Sequence, residues 1–148
     1  MGLRGMADLL AIASMFFLLL TASGLLYLFS SLGPLPRRPE ELRVEHLYRT
    51  LELSEIVPGV GYLRAAGEQL LLEDPTVPEN ELRPSLEGVL SFLCPENRGV
   101  VLELRGEGGV WRAEVGGGRR ELARRRGALT LSTPEGLASV EVEVRLLG

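Results

Sequence analysis

Residues 9–32, LLAIASMFFLLLTASGLLYLFSSL, decide the architecture of this 148-residue chain. The run contains no charged residue and no proline. A helix of this length rises roughly 36 Å, slightly more than the ~30 Å hydrocarbon core of a bilayer. Backbone groups inside lipid must bond to one another, so a single run of this kind predicts a membrane-spanning helix. We therefore expect one apolar helix followed by a polar domain.

Composition limits the polar part of the chain to one small domain. After the apolar run about 116 residues remain, enough for one core but not for two. Residues 37–98 contain twelve acidic residues against seven arginines, and residues 99–148 contain seven against eight. This balance provides no clustered basic face, so no nucleic-acid partner is expected. The single cysteine, Cys94, excludes an internal disulfide; it is predicted to be a buried small residue or an intermolecular bridge.

All sixteen basic residues are arginine, and only two asparagines and one glutamine occur. Few heat-labile amides together with many Arg and Glu residues are typical of thermophile proteins. A GC-rich genome produces the same bias, so the composition leaves both origins open.

The residues before the apolar run allow several processing routes. A secretory signal peptide could end at residues 21–24, TASG, but the apolar run continues beyond them, which a removed signal would not need. A second route keeps the whole segment as an anchor. A third route is cleavage before the run, where Arg4 and Gly5 precede Met6.

In the pair Arg4-Gly5 followed by an apolar helix, the chain resembles archaeal type IV pilin-like precursors with class III signal peptides. The resemblance covers roughly residues 4–30 and the overall layout. It implies that a prepilin-type peptidase removes residues 1–5, that the mature chain starts at Met6, and that the helix packs in a filament core. Many members carry an acidic residue at the fifth place after the cut, where this chain has Leu10.

Asp8 is the acidic residue nearest the start of the apolar run. We predict that it caps the helix, because its carboxylate can accept from free N–H groups and suits the positive end of the helix dipole. Arg4 lies on one side of the run, and Arg37 and Arg38 lie on the other. These two arginines alone favour a cytoplasmic C-terminal side, whereas the pilin resemblance implies that the domain faces outward.

Small residues are frequent in the apolar run and allow close helix approach. They predict either a face packed against identical helices or an ordinary lipid-facing surface. These residues are Ala11, Ala13, Ser14, Thr21, Ala22, Ser23 and Gly24.

A proline-rich hinge, residues 33–39, is predicted to end the apolar helix of residues 6–32. The domain of residues 40–148 then starts with helical patterns over residues 40–53, 62–72 and 80–93. Residues 62–72 could also form a strand, but the spacing of Leu63, Ala66 and Leu70 favours a helix. Asn80 is a candidate cap for the third of these helices, with Pro84 in its first turn.

The second half of the domain alternates apolar and polar residues, which is typical of strands with one buried face. Strands are predicted over residues 100–105, 110–115, 128–132 and 137–147, the first two forming a hairpin. The fold class is therefore α+β, with an antiparallel sheet or small sandwich of four or five strands. Either the helices or a second sheet must cover the apolar face.

No pattern predicts a catalytic, cofactor-binding or metal-ligating residue. His46 stands alone, and the glycine clusters at 106–109 and 116–118 are not followed by helices, so they are predicted to be turns. One basic cluster remains. It is predicted either to be a solvated strand or loop, or to contact the acidic segment of a neighbouring subunit, anionic lipid headgroups or surface glycans. Its residues are Arg119, Arg120, Arg124, Arg125 and Arg126.

These features favour a pilin-like structural subunit of a cell-surface filament or of its assembly machinery. Its expected partners are the lipid bilayer, copies of itself or other pilin-like subunits, and the processing peptidase. The alternative is a non-polymerising single-pass membrane protein that serves a membrane complex as an accessory or binding subunit. We expect no enzymatic activity, and we expect the protein in the membrane with its domain outside, or in an extracellular filament after processing.

Overall fold

The computed structural model describes residues 2–31 and 38–148, and the α+β class is confirmed. The chain divides into two compact units near residue 36. Leu32 and residues 33–37 of the predicted hinge lie outside the described residues.

The first unit is a single helix, α1, which spans Leu3–Ser31. It begins three residues before Met6, where the predicted helix starts. Asp8 is therefore the sixth residue of α1, and no acidic residue lies in the first turn. The prediction that Asp8 caps the helix is wrong for this chain, because the N–H groups beside it already bond within the helix. If the chain began at Met6, Asp8 would lie in the first turn.

The second unit begins with three helices and a short hairpin. Helix α2 (Pro39–Leu53) has Pro39 in its first turn followed by Glu40 and Glu41. Proline needs no hydrogen-bond partner there, and acidic residues suit the positive end of the helix. A short two-stranded hairpin follows α2. These elements are α2 (Pro39–Leu53), β1 (Glu55–Val57), β2 (Val60–Gly61), α3 (Tyr62–Leu71) and α4 (Glu79–Leu93).

The start of α4 corrects two predictions. Pro78 occupies the N-cap position, so Asn80 lies inside the first turn and does not cap the helix. Pro84 is the sixth residue of α4 rather than a first-turn residue. The helix ends at Leu93, and Cys94 forms its C-cap immediately before Pro95, as the sequence predicted.

Four antiparallel strands form the main sheet in the order β4-β3-β6-β5. The predicted first hairpin is confirmed, and in its register Leu104 pairs with Trp111 and Leu102 pairs with Ala113. Its turn is the tight two-residue loop between Gly106 and Gly109. The strands are β3 (Gly99–Gly106), β4 (Gly109–Gly116), β5 (Glu121–Thr133) and β6 (Gly136–Leu147).

Strand β5 is much longer than predicted. The sequence indicated a strand over residues 128–132, whereas β5 starts at Glu121 and includes three residues of the arginine cluster. Apolar alternation is missing from its first half, so the strand depends there on pairing with β6, from Ala123 opposite Leu146 onwards. A register shift between Glu121 and Ala123 marks its start.

The three helices cover one face of the four-stranded sheet, so the described residues form a helix layer on a sheet and not a sandwich of two sheets. Helix α2 packs on β5 and β6, α4 packs on β4, and α3 lies between them. The core consists of apolar side chains from both layers. Its fully buried large members include Leu51, Leu82, Leu86, Leu90, Leu102, Leu104 and Leu146.

Candidate interaction surfaces

The apolar surface of α1 has no partner among the described residues. The segment Gly5–Ser31 is long and apolar enough to cross a membrane, and none of it is buried. Its hydroxyl groups bond to carbonyls of the preceding turn, for example Thr21 Oγ1 to Leu18 O at 2.9 Å and Ser23 Oγ to Leu19 O at 2.8 Å. The helix thus satisfies its own polar groups, which suits a surface covered by lipid or by other helices.

The small residues of α1 do not form one continuous face. At about 100° per residue, Ala11, Ser14 and Ala22 lie on one side of the helix. Ala13 and Gly24 lie on other sides. The single face suggested by the sequence is therefore limited to part of the small-residue set.

The arginine cluster is divided among three environments. Arg119 and Arg120 lie before β5, where the backbone of Arg120 exchanges hydrogen bonds with Gly148. Arg124 and Arg126 project from the outer face of the sheet, since they pair with Arg145 and Glu143 of β6. The residue between them, Arg125, therefore projects towards the helices. Because their side chains point in different directions, the five arginines do not act as a single patch.

Arg125 connects β5 to helix α2. Its Nε lies 2.8 Å from Glu45 Oε2, and its guanidinium lies over the ring of Tyr48, 5.1 Å from the centroid. Gly127 brings β5 so close to Tyr48 that a Cβ would overlap the hydroxyl group. The sequence offered no signal for this contact beyond the position of Arg125 in the strand alternation.

The outer face of the sheet carries a chain of ion pairs across three strands. Arg126 Nε lies 2.5 Å from Glu143 Oε2, and Arg145 Nη2 lies 3.1 Å from Glu103 Oε2. Arg145 Nε is 3.2 Å from Glu143 Oε1 but is not aligned for a hydrogen bond. Arg105 contacts the other oxygen of Glu103. Arginine stems cover both carboxylates, leaving Glu103 only 6% and Glu143 only 8% exposed on a face without a helix layer.

The pKa of Glu143 reflects this arrangement. Burial alone would raise the pKa, but the hydrogen bond from Arg126 and the charges of Arg126, Arg145 and Arg124 lower it below the ordinary value. The sequence does not predict this arrangement, because alternation indicates which face a residue lies on but not which side chains meet across strands.

The two edges of the sheet differ. Strand β4 is protected by α4: Arg83 Nη1 donates to the carbonyl of Arg112 at 2.9 Å, and Trp111 Nε1 donates to Glu79 Oε2 at 2.9 Å. The guanidinium of Arg83 also lies 5.0 Å from the centroid of the Trp111 ring. Strand β5 forms the opposite edge and has no neighbouring strand beyond it in the described chain.

The remaining reactive side chains are isolated. His46 is exposed on α2, and no group of three or more potential ligands that could hold a metal occurs among the described residues. Cys94 is half-buried, not fully buried, and its Sγ donates to the carbonyl of Arg98 at 3.2 Å. Burial raises the pKa of this thiol, which keeps it protonated and poorly nucleophilic at neutral pH.

An open acidic groove lies at one end of the sheet, between the end of α3 and the tips of two hairpins. Its carboxylates are Glu73, Asp74, Glu107 and Glu135. They line the groove without converging on one point as metal ligands. Comparison with known proteins gives no match to any family model, curated protein or solved structure. The surfaces described here therefore carry the functional argument by themselves.

Proposed function

We propose that the protein is a pilin-like structural subunit of a cell-surface filament or of its assembly machinery. The observation that supports this proposal is the fully exposed apolar surface of α1 directly after Arg4-Gly5. Such a surface needs a cover of lipid or of other apolar helices. A filament core provides the second kind of cover once the subunit leaves the membrane.

In this proposal the peptidase removes residues 1–5, and the new chain begins at Met6 in the first turn of the helix. Asp8 then lies near the positive end of the helix, where a carboxylate is favourable. Assembly exchanges lipid contacts of α1 for contacts with neighbouring helices, and the side-chain hydroxyls need no new partners because they bond within the helix. The polar unit, facing outward, forms the filament surface.

A second candidate is a single-pass membrane protein that does not polymerise. The helical backbone of residues 3–31 supports it, because the Gly5–Met6 bond lies inside α1. Proteolytic cleavage favours exposed, irregular backbone, and a helical site resists it. Retention of residues 1–5 would leave α1 as a simple anchor.

The intact mass of the native protein, isolated from its membranes, distinguishes the two candidates. A chain that begins at Met6 supports the pilin-like subunit, and retention of residues 1–5 supports the anchor. Gly5→Leu is expected to block processing in the first case, whereas Gly2→Leu serves as the matched control. Microscopy of sheared surface filaments, labelled through the polar unit, then tests polymerisation. A native product that lacks residues 1–32 would contradict both candidates.

A further inference from the structure

Only one half of the β5 edge is protected against pairing with another strand. In this protected half, Arg124, Arg125 and Arg126 supply charge, and Arg125 Nη1 also donates to the carbonyl of Arg126. The other half, residues 127–133 (GALTLST), contains no charge and no proline. Charges and prolines are the usual devices that stop strands from pairing at an edge. The opposite edge, on β4, has such protection from Arg83.

We propose that residues 127–133 of β5 pair antiparallel with the same residues of a second copy of this chain. Helices α2 and α3 contact the inner face of β5, at Gly127 and Leu131, and no strand pairs with the outer edge of β5 in the described chain. The joined strands would extend the sheet from four to eight strands, with both helix layers on the same face. The pairing uses backbone groups that otherwise bond to water.

Antiparallel geometry restricts the register. Directly opposed residues must point their side chains to the same face of the sheet. The two-fold axis between two copies of the strand must therefore lie level with one residue, which faces its own copy, and not level with the bond between two residues. A centre at Thr130 pairs the whole uncharged segment with itself: 127 with 133, 128 with 132, and 129 with 131. A centre at Arg125 would oppose Arg124 and Arg126 and is unfavourable, because like charges facing each other destabilise a strand pair.

The centre at Thr130 also matches the side chains. Leu129 opposes Leu131 of the partner on the inner face, where both leucines approach α3 near Gly67. Leu129 is only half-buried in one copy, and this pairing would cover it. Two threonines face each other on the outer side, a favourable cross-strand pair. Arg125 comes opposite Glu135 of the partner, an exposed carboxylate in the turn that follows β5.

Thiol cross-linking of the full-length protein in detergent and in liposomes tests the pairing. In a Cys94→Ala background, Thr130→Cys should form an intermolecular disulfide, because residues opposed in this way have Cα atoms about 4.5–5.5 Å apart. The matched control is Ser139→Cys, since Ser139 is exposed and pairs with Thr130 one strand further in. Its two copies would lie about 14 Å apart, three strand spacings, beyond the reach of a disulfide.

The register is tested by mixing two single-cysteine proteins. Ala128→Cys mixed with Ser132→Cys should give a cross-linked heterodimer, whereas each protein alone should give little product, because equal positions are then about 13 Å apart along the strands. Thr130→Lys, placed in the Ala128→Cys and Ser132→Cys proteins, should abolish the heterodimer by opposing two like charges. Ser139→Lys in the same proteins should leave it unchanged.

Equal cross-linking of Thr130→Cys and Ser139→Cys, or no cross-linking of either, would overturn the proposed pairing. The pairing requires neither cleavage before Met6 nor filament growth through α1. A native chain that keeps residues 1–5 would contradict the pilin-like subunit and leave this result unaffected.

Discussion

Gly127 and Tyr48 are in direct contact: the backbone of the first passes beside the hydroxyl group of the second, with no room for a Cβ between them. Together with the bond from Arg125 to Glu45, this contact sets the distance between helix α2 and the edge strand β5. The contact joins two residues that lie far apart in the sequence of the polar unit. Changes there should therefore be measurable in the stability of the whole unit.

Gly127→Ala should destabilise the polar unit by about 1–3 kcal/mol, because the new methyl group must displace Tyr48 or shift β5. Gly88→Ala is the control: Gly88 lies in α4 with open space where a Cβ would stand, and alanine favours the helix. The free energy of unfolding can be followed by the fluorescence of Trp111, the single tryptophan. Equal effects of the two substitutions would contradict the close contact.

Arg125→Ala should lower the free energy of unfolding by about 1 kcal/mol, since it removes both the cation–π contact with Tyr48 and the ion pair with Glu45. Arg124→Ala removes an equally charged neighbour whose ion pair is with the exposed Glu121 on the outer face, and it should have a smaller effect. Urea denaturation of both variants measures the difference. A larger loss for Arg124→Ala would show that the outer face matters more.

The contrast between these two arginines shows how far the sequence could be read. The β3–β4 hairpin was predictable, because alternating apolar residues and turn glycines are local signals. The first half of β5 carries no such signal, since Arg124, Arg125 and Arg126 are consecutive charges whose conformation is set by β6, a strand that follows later in the chain. Local reasoning also assigned the cap of α4 to Asn80 by residue preference, although the chain enters the helix at Pro78.

The candidate surfaces also divide into one that local sequence signals reveal and others that depend on tertiary contacts. The apolar stretch of α1 was evident from composition, because length and the absence of charge need no tertiary information. The buried carboxylates Glu103 and Glu143 were not evident, since their burial results from arginines on three neighbouring strands. Edge strands, too, cannot be identified until the strand order is known.

Acidification should destabilise the polar unit. Burial alone would raise the pKa values of Glu68 and Glu143, but hydrogen bonds from Thr76 and Arg126, respectively, together with nearby arginine charges, lower them below 4.5. Their contribution is complete above the unfolded-state pKa and is lost as pH falls through the lowered folded-state values. In measurements from pH 7 to pH 2, the unfolding temperature should therefore decrease once the pH is lower than about 4.5. A constant unfolding temperature across that range would contradict this assignment.

Glu68→Gln should loosen the loop between α3 and α4. The Glu68 carboxylate is buried, accepts from Thr76 N at 2.9 Å and receives Arg64 Nε at 3.0 Å. Loss of this charge should lower the free energy of unfolding by about 1–3 kcal/mol and should speed amide hydrogen exchange at Thr76. Glu55→Gln is the matched control, because Glu55 also accepts from a backbone N–H, that of Gly59, but is exposed. If the amide of Thr76 exchanges at a similar rate in both variants, burial of the Glu68 carboxylate does not protect this loop.

Leu18→Arg should weaken membrane insertion of α1, because an arginine near the centre of a spanning helix costs about 2.5–3.5 kcal/mol. Alkaline carbonate extraction of membranes measures how much protein is released. Leu137→Arg is the control, since Leu137 is exposed on the polar unit at the start of β6. Release of both variants to the same extent would contradict the assignment of α1 as the membrane segment.

Strand β6 lies inside the sheet, between β3 and β5, yet it follows every other strand in the chain. Helix α2, which is synthesised much earlier, makes most of its contacts with β5 and β6 and fewer with α3 and β2. Most of the contacts of α2 and of the sheet interior therefore form only after most of the polar unit has been synthesised. The inner position of β6 thus delays closure of the four-stranded sheet until this strand has emerged from the ribosome.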